Sequence, residues 1–389
     1  MPKPIVPYHD LAVADKARRD ELLAAMARVL DAGSFMAEEE IGAFEDEFSA
    51  YLGAGNCVAT GSGADSFRLL LTALGLSRPD VVLCVPNASS VVADAVLQAG
   101  PRLDFVDVNP ATGLIDLNRL EDRLRDESKP RANAVIAVDL FGQCADIAGL
   151  ESLSARYGFV LIEDARQAHG ALAPADKARS ERVGGEARKA GGFGFPAVFS
   201  FSPEKNLGAL GQGGAVTTGD AQLAKAVRAV RARGLGLGSG GKVEMADSQM
   251  DCVQAAVLRV RLKGLDAANE ARRAVAAAYD KAFVGTGYTE PLAVLPGNLP
   301  NRHIYALTIP DRDDMRVYLD EMGVGTGLHY PVPLHLHPRF RVLGFARGDF
   351  PAAEEFALRT LSLPIRPDLS QDQVQGVIDA VRSFGGSMR

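Results

Sequence analysis

The chemistry this chain can do is concentrated in three short segments, each at the end of an apolar run. The first is Cys57-Val-Ala-Thr-Gly-Ser-Gly-Ala-Asp-Ser66, where the run meets a glycine-rich turn and then the apolar helical stretch Phe67–Leu76. A strand, a turn and a helix start expose backbone N–H groups and the positive end of a helix dipole, which suits a phosphate. Gly61 and Gly63 supply G-x-G, but Ser66 stands where a dinucleotide fingerprint needs its third glycine, so that motif is incomplete. A capped helix start with no ligand would read the same way. The second segment, Phe159-Val-Leu-Ile-Glu-Asp-Ala-Arg-Gln-Ala-His-Gly170, ends a strand in two acids. Ligands in open parallel sheets bind outside the carboxyl ends of strands, and a buried carboxylate there needs a cationic or donor partner. Asp164 is thus a candidate for holding a protonated ring nitrogen, and a loop or cap acid is the plainer alternative.

The third segment is Ala197-Val-Phe-Ser-Phe-Ser-Pro-Glu-Lys-Asn-Leu-Gly208, followed by Gly211-Gln-Gly-Gly214. A lone lysine after a strand is usually a solvated charge. Lys205, however, lies between an apolar strand and a glycine-rich turn that permits close backbone approach to a ligand. A desolvated lysine loses basicity and attacks carbonyl carbon. An anion-binding helix start, an acid and a recessed lysine together match one cofactor. Pyridoxal 5'-phosphate needs a phosphate cradle, an acidic partner for its pyridine nitrogen and a Schiff-base lysine.

These segments need a scaffold that brings strand ends together. Short apolar runs at Val81–Val85, Leu103–Val106, Ala134–Val138, Val160–Ile162, Val198–Phe201 and Ala215–Thr217 alternate with helical patterns. That alternation predicts an α/β fold with a mostly parallel sheet and helices on both faces. Helical spacing also marks Lys16–Asp31 and Glu38–Leu52, and a long stretch from Met250 to Ala282 bent near Gly264. Pro174–Gly192, rich in Lys, Arg, Glu and Gly, reads as an exposed loop. A strand at Ile304–Ile309 and helices near Met315–Met322 and Gln371–Phe384 make the last third a smaller α+β domain. The expected divisions are an N-terminal arm over 1–15, a large domain over 16–262 and a small domain over 263–389.

Composition narrows the function classes. The chain has 389 residues, is 47% hydrophobic and carries a formal net charge of -7. Mild acidity argues against a nucleic-acid binder, which shows a basic face. No apolar run is long enough to span a bilayer, so no membrane role is expected. The four cysteines, Cys57, Cys84, Cys144 and Cys252, lack C-x-x-C spacing, so neither a disulfide framework nor a metal site is expected, and the cytoplasm is the expected compartment.

Seven motifs in order give the chain a family likeness. They are Gly61-Ser-Gly-Ala-Asp65, Phe141-Gly-Gln143, Glu163-Asp-Ala-Arg-Gln-Ala-His-Gly170, Phe199-Ser-Phe-Ser-Pro-Glu-Lys-Asn206, Gly213-Gly-Ala-Val216, Gln254-Ala-Ala-Val-Leu-Arg259 and Gly323-Val-Gly-Thr-Gly-Leu-His-Tyr-Pro-Val-Pro-Leu-His335. On these residues the chain resembles the DegT/DnrJ/EryC1/StrS sugar aminotransferases, a branch of the fold type I, aspartate-aminotransferase-like pyridoxal-phosphate enzymes. The resemblance implies that Lys205 carries the cofactor as a Schiff base and shuttles the proton. It also implies that Asp164 pairs with the pyridine nitrogen, that Gln167 approaches the ring hydroxyl, and that Ser200 with the backbone of Gly63 and Ala64 holds the phosphate. His329, Tyr330 and His335 belong to a segment expected to line the sugar site, as in enzymes acting on nucleotide-linked keto-deoxysugars of antibiotic biosynthesis. The implied reaction takes an amino group from a glutamate-type donor to a keto-sugar, in a homodimer with shared active sites.

Departures from the family pattern cluster at the cofactor. No aromatic residue follows Pro86 to cover the ring, and Ser89 or Ser90 takes that place. Asp247 stands where the family has an asparagine that reaches the partner subunit's phosphate. Arg166 replaces a small residue beside Asp164, either as the cation that lets Asp247 stand beside a phosphate or as a contact to a substrate phosphate. Two rival readings stay open: an eliminating or dehydrating pyridoxal-phosphate enzyme, whose family members typically carry histidine in place of the lysine, and a degenerate member that binds a ligand or partner without catalysis.

Overall fold

The computed structural model describes residues 6–174, 187–233 and 248–387. Its centre is a seven-stranded sheet built from β1 (Asn56–Thr60), β2 (Val81–Cys84), β3 (Arg102–Phe105), β4 (Ala134–Val138), β5 (Val160–Asp164), β8 (Ala197–Ser200) and β9 (Gly214–Thr218), with β6 (Leu172–Pro174) and β7 (Ala187–Lys189) forming a separate antiparallel hairpin. The strand order is β1-β9-β8-β5-β4-β2-β3. Every neighbouring pair is parallel except those of β9, which runs antiparallel to both β1 and β8. The strands β4 and β9 are buried at every position, as expected where helices cover both faces and alternation disappears. The α/β architecture read from the sequence is therefore the one observed.

Helix α1 (Lys16–Ala32) begins where Asp15 accepts the Arg18 N–H and ends at left-handed Gly33. Helix α2 (Glu38–Leu52) buries Phe44 and Phe48 against Phe199 and Phe201, which lie on β8 and just beyond it. Helix α3 (Gly63–Ala73) starts four residues before the apolar stretch begins at Phe67, because Ser62 caps it by accepting the Asp65 N–H. That earlier start puts Gly63 and Ala64 in the helix's first turn, where N–H groups lack intrahelical acceptors. The long helical pattern divides into Cys252–Leu262 and Leu265–Phe283, broken at Gly264. Part of the expected loop is ordered: Leu172–Pro174 pairs with Ala187–Lys189, and 175–186 lie outside the described residues.

A second core gathers Tyr279, Phe283, Tyr305, Leu307, Leu361, Leu363 and Val381 around a three-stranded antiparallel sheet, β10 (Glu290–Pro291), β11 (Tyr305–Thr308) and β12 (Thr360–Leu363). Val6 joins this core, and its backbone bonds to Gly323 and Gly325 tie the N-terminal segment there. The first core in turn extends to Ile304, Leu334, Phe340 and Phe356, so residues late in the chain pack against the large sheet. Among the described residues no helix is long and apolar enough to cross a membrane.

The Phe48 ring sits edge-on to Phe199 and Phe201, with centroids 5.0 and 5.3 Å away. Phe48→Ala is expected to lower the unfolding free energy by about 3–5 kcal/mol, read from the urea midpoint. Val342→Ala, at a side chain 85% exposed, should change it by less than about 0.5 kcal/mol. Equal effects would show that the aromatic cluster is not a stability centre.

Candidate active site

The carboxyl ends of β5 and β8 and the turn after β1 converge on one place. β5 delivers Asp164, β8 delivers Ser200, and the chain after β8 curls back to present Lys205. The curl is held by Lys205 N–H to Ser202 O at 2.9 Å and Ala209 N–H to Phe201 O at 2.7 Å. Gly208 is required in it, since a Cβ there would meet the Pro203 carbonyl oxygen at 2.5 Å.

Lys205 is 13% exposed, with Nζ 3.4 Å from His303 Nε2 and 3.6 Å from Glu204 Oε1. Burial lowers its pKa below the usual lysine range, and Arg166 pushes the same way against Glu204 and Asp164. His303 is held well below the usual histidine range by burial and by the Lys205 charge, so it is neutral. Its tautomer follows from its neighbours. Asn206 donates its amide to Asn269 Oδ1 and Asn301 O, which turns Asn206 Oδ1 toward His303 Nδ1 at 3.1 Å. Nδ1–H therefore donates to Asn206, and Nε2 is left as an acceptor for the Lys205 amine. Sequence reasoning passed over His303, because Arg302-His303 matches no motif and its lysine is 98 residues away.

Asp164 is paired to Arg166 at both oxygens, Nε to Oδ1 at 2.7 Å and Nη2 to Oδ2 at 2.7 Å. Gln167 accepts the Phe141 N–H at Oε1, 2.6 Å, and donates from Nε2 to the Tyr330 hydroxyl at 3.2 Å. Ser89 caps the helix Ser90–Ala99 and also hydrogen-bonds Tyr330, whose pKa burial raises. Ser89, Asp164, Arg166, Gln167, Lys205 and Tyr330 together line one cavity of about 40 Å³.

The turn after β1, expected from the sequence to bind a phosphate, packs against Ser200. Gly63 is pressed against Ser200, and a Cβ on it would come 2.6 Å from the Ser200 Cβ. Only glycine lets the start of α3 and the Ser200 hydroxyl face the same point. The turn is braced by Gly61 N–H to Ser248 O at 2.6 Å. Asp247 lies outside the described residues.

The segment expected to line a sugar site divides. Tyr330 reaches the cavity, whereas His329 hydrogen-bonds Ser362 Oγ at 2.9 Å through Nδ1 and stacks on Tyr8. Burial lowers the His329 pKa to about 4. His335 is buried under Phe350, with Nε2 3.0 Å from Glu354 Oε1, and it is not among the residues lining the cavity.

A buried acid pair beside Asp164 went unread in the sequence. Asp139 Oδ1 accepts the Ala145 N–H and Glu163 Oε2 accepts the Gly191 N–H. Their other oxygens have no further partner and lie, with Cys144 Sγ, within 4.8 Å of one another. Two carboxyls this close share a proton. Burial raises Asp139 well above the carboxylate range and Glu163 to about 7. Cys144 is pushed up by burial and by both acids, which favours its thiol form.

Known proteins resemble this chain over nearly its whole length. The sequence profile described as the DegT/DnrJ/EryC1/StrS aminotransferase family matches residues 16–382. The chain is 38% identical, over 98% of its length and 96% of the relative, to a dTDP-3-amino-3,4,6-trideoxy-alpha-D-glucose transaminase of Streptomyces venezuelae. The crystal structure of S. venezuelae DesV in complex with a ketimine intermediate is similar, with a TM-score of 0.90, 36% identity and coverage of 98% of this chain and 99% of that one. NtdA of Bacillus subtilis, crystallised with bound cofactor PMP, has a TM-score of 0.84 and 26% identity, covering 99% of this chain and 86% of that one.

The acid pair makes stability depend on pH. Both pKa values are raised in the fold, so its stabilisation is full below the ordinary carboxyl range, about 4. It is lost as pH rises through the folded value of about 7 at Glu163. In Asp139→Asn the amide donates to Glu163 and removes the need for a shared proton. The wild-type melting temperature should fall by a few degrees between about pH 5 and about pH 8, and that of Asp139→Asn should fall less. Parallel melting curves by circular dichroism would rule the shared proton out.

Proposed function

Because the chain belongs to the DegT/DnrJ/EryC1/StrS aminotransferase family, we propose that it transfers an amino group from a glutamate-type donor to a nucleotide-linked keto-deoxysugar, with pyridoxal 5'-phosphate held at Lys205. The observation that carries this reading is the buried Lys205 amine, its basicity lowered, facing a neutral His303 in a cavity shared with Asp164. The Streptomyces transaminase supports the sugar class, being alike over nearly the whole chain.

The residues present fit the cofactor at the points that matter most. Gly63 and Ser200 make a cradle that a Cβ would fill, and the N–H groups of Gly63 and Ala64 point from a helix start that favours phosphate. Lys205 offers an amine for the aldehyde carbon, and Asp164 a carboxylate for the ring side. When bound, the cofactor supplies an electron sink for the charge left on a substrate carbon that gives up a proton. The chain's own residues supply the rest. Lys205 Nζ takes that proton and returns it, a role that needs a pKa near the operating pH and hence the burial described above. His303 Nε2 accepts an Nζ–H, which keeps the amine's lone pair off the imidazole. The Gln167 amide is held between Phe141 and the Tyr330 hydroxyl, where it can meet the ring hydroxyl. Tyr330, with His329 behind it, stands on the substrate side. This reading makes the protein a cytoplasmic homodimer, and the four free, buried cysteines suit a reducing compartment.

Borohydride treatment of protein incubated with pyridoxal 5'-phosphate should fix the cofactor's mass on the peptide containing Lys205. Glutamate should bleach the visible band first, and Lys205→Ala should lower turnover by about 10²–10⁴-fold or more. A label on another lysine, or a band that glutamate leaves untouched, would sink the reading. Gly63→Ala is expected to weaken cofactor binding at least about tenfold, through the 2.6 Å clash with Ser200, as measured by equilibrium dialysis.

A further inference from the structure

The carboxylate available to a ring nitrogen already has a cation of its own. Arg166 grips both oxygens of Asp164 at 2.7 Å, and its backbone N–H lies 3.3 Å from Oδ1. The two side chains are 10% and 3% exposed. The guanidinium also lies over the Phe67 ring, 5.0 Å from its centroid, so α3 holds it from the far side. A two-pronged guanidinium takes the best lone pairs of a carboxylate and cancels its charge. A second cation placed there would also be repelled by the first. Asp164 and Arg166 line the same cavity as Lys205 and Tyr330, so the ion pair lies beside the lysine that would hold the cofactor.

We infer that Arg166 is the resident counter-ion of Asp164 and competes with the cofactor's ring nitrogen for it, so that the cofactor is held chiefly through its phosphate and Lys205. This rests on the cofactor reading above. Arg166 acts through Asp164, as a residue that sets how strongly the ring nitrogen is bound and protonated. The same ion pair keeps Asp164 from standing as an unpaired buried charge, which gives Arg166 a structural reason to persist.

Pyridoxamine 5'-phosphate tests this without the bond to Lys205, and its analogue with C–H in place of the ring nitrogen isolates the Asp164 contact. Binding to purified full-length protein would be measured by fluorescence titration, with circular dichroism confirming the fold of each variant. The wild type should bind the two compounds within about threefold of each other. Arg166→Gln should bind pyridoxamine 5'-phosphate at least about tenfold tighter than wild type, and prefer it to the analogue by about tenfold. Adding Asp164→Asn to that variant should abolish the preference. Arg166→Lys, which keeps the charge but loses one prong and guards against misfolding of the neutral variant, should gain about threefold. A wild type that already prefers the ring nitrogen tenfold, or Arg166 variants that bind no tighter, would overturn the competition while leaving the cofactor reading intact. Folded variants that all fail to bind either compound would overturn both.

Discussion

Keeping water from the Lys205 amine is the constraint on which the site depends. The loop that carries it cannot do this alone, because it leaves the large sheet at β8 and has no cover of its own. Cover comes from the segment ahead of β11, where Asn301 and His303 lie buried. Asn206 bonds to Asn269 and to the Asn301 carbonyl, while Asn301 and Asn269 reach back to the His169 carbonyl. This amide network joins the lysine loop, the end of the β5 segment and the second core. A neutral histidine against a desolvated amine is its chemical result.

The interior beside this amine is rich in acids, and the fold neutralises them in two ways. Asp164 is given a guanidinium, while Asp139 and Glu163 share a proton. Both are responses to the cost of an isolated charge in a medium of low polarity. They differ in kind, since a guanidinium brings a fixed positive charge and a shared proton is lost as pH rises. The phosphate cradle we propose lies at the start of α3, where backbone N–H groups would supply the positive field without a side-chain cation.

Much of the scaffold was readable because both faces of the sheet are covered. Strands such as Ala134–Val138 are continuous apolar runs between turn residues, and such runs announce themselves without an alignment. The reversal of β9 was not readable, since a short buried strand has the same composition in either direction. The start of α3 was misplaced by four residues for a local reason: Gly63, Ala64 and Asp65 carry no apolar signal, and the capping hydroxyl of Ser62 decides the boundary. His335 shows what a local resemblance leaves open. It belongs to a segment that resembles a sugar-binding one, yet its imidazole nitrogen is turned to Glu354, 19 residues further on.

What the sequence determined by itself were the features with short-range causes. The lysine beside a glycine-rich turn, the acid ending an apolar strand and the glycine turn before a helix are local patterns, and their order along the chain already pointed to one cofactor. Tertiary structure alone decided what each of these groups faces. Arg166 could have reached a substrate phosphate, but the turn after β5 and the Phe67 ring direct it onto Asp164. His303 and Asn206, 97 residues apart, set the lone pair that meets Lys205, and Asp139 meets Glu163 only because β4 and β5 are neighbours. Protonation and pairing are properties of the space around a group, and that space is filled by residues distant in sequence.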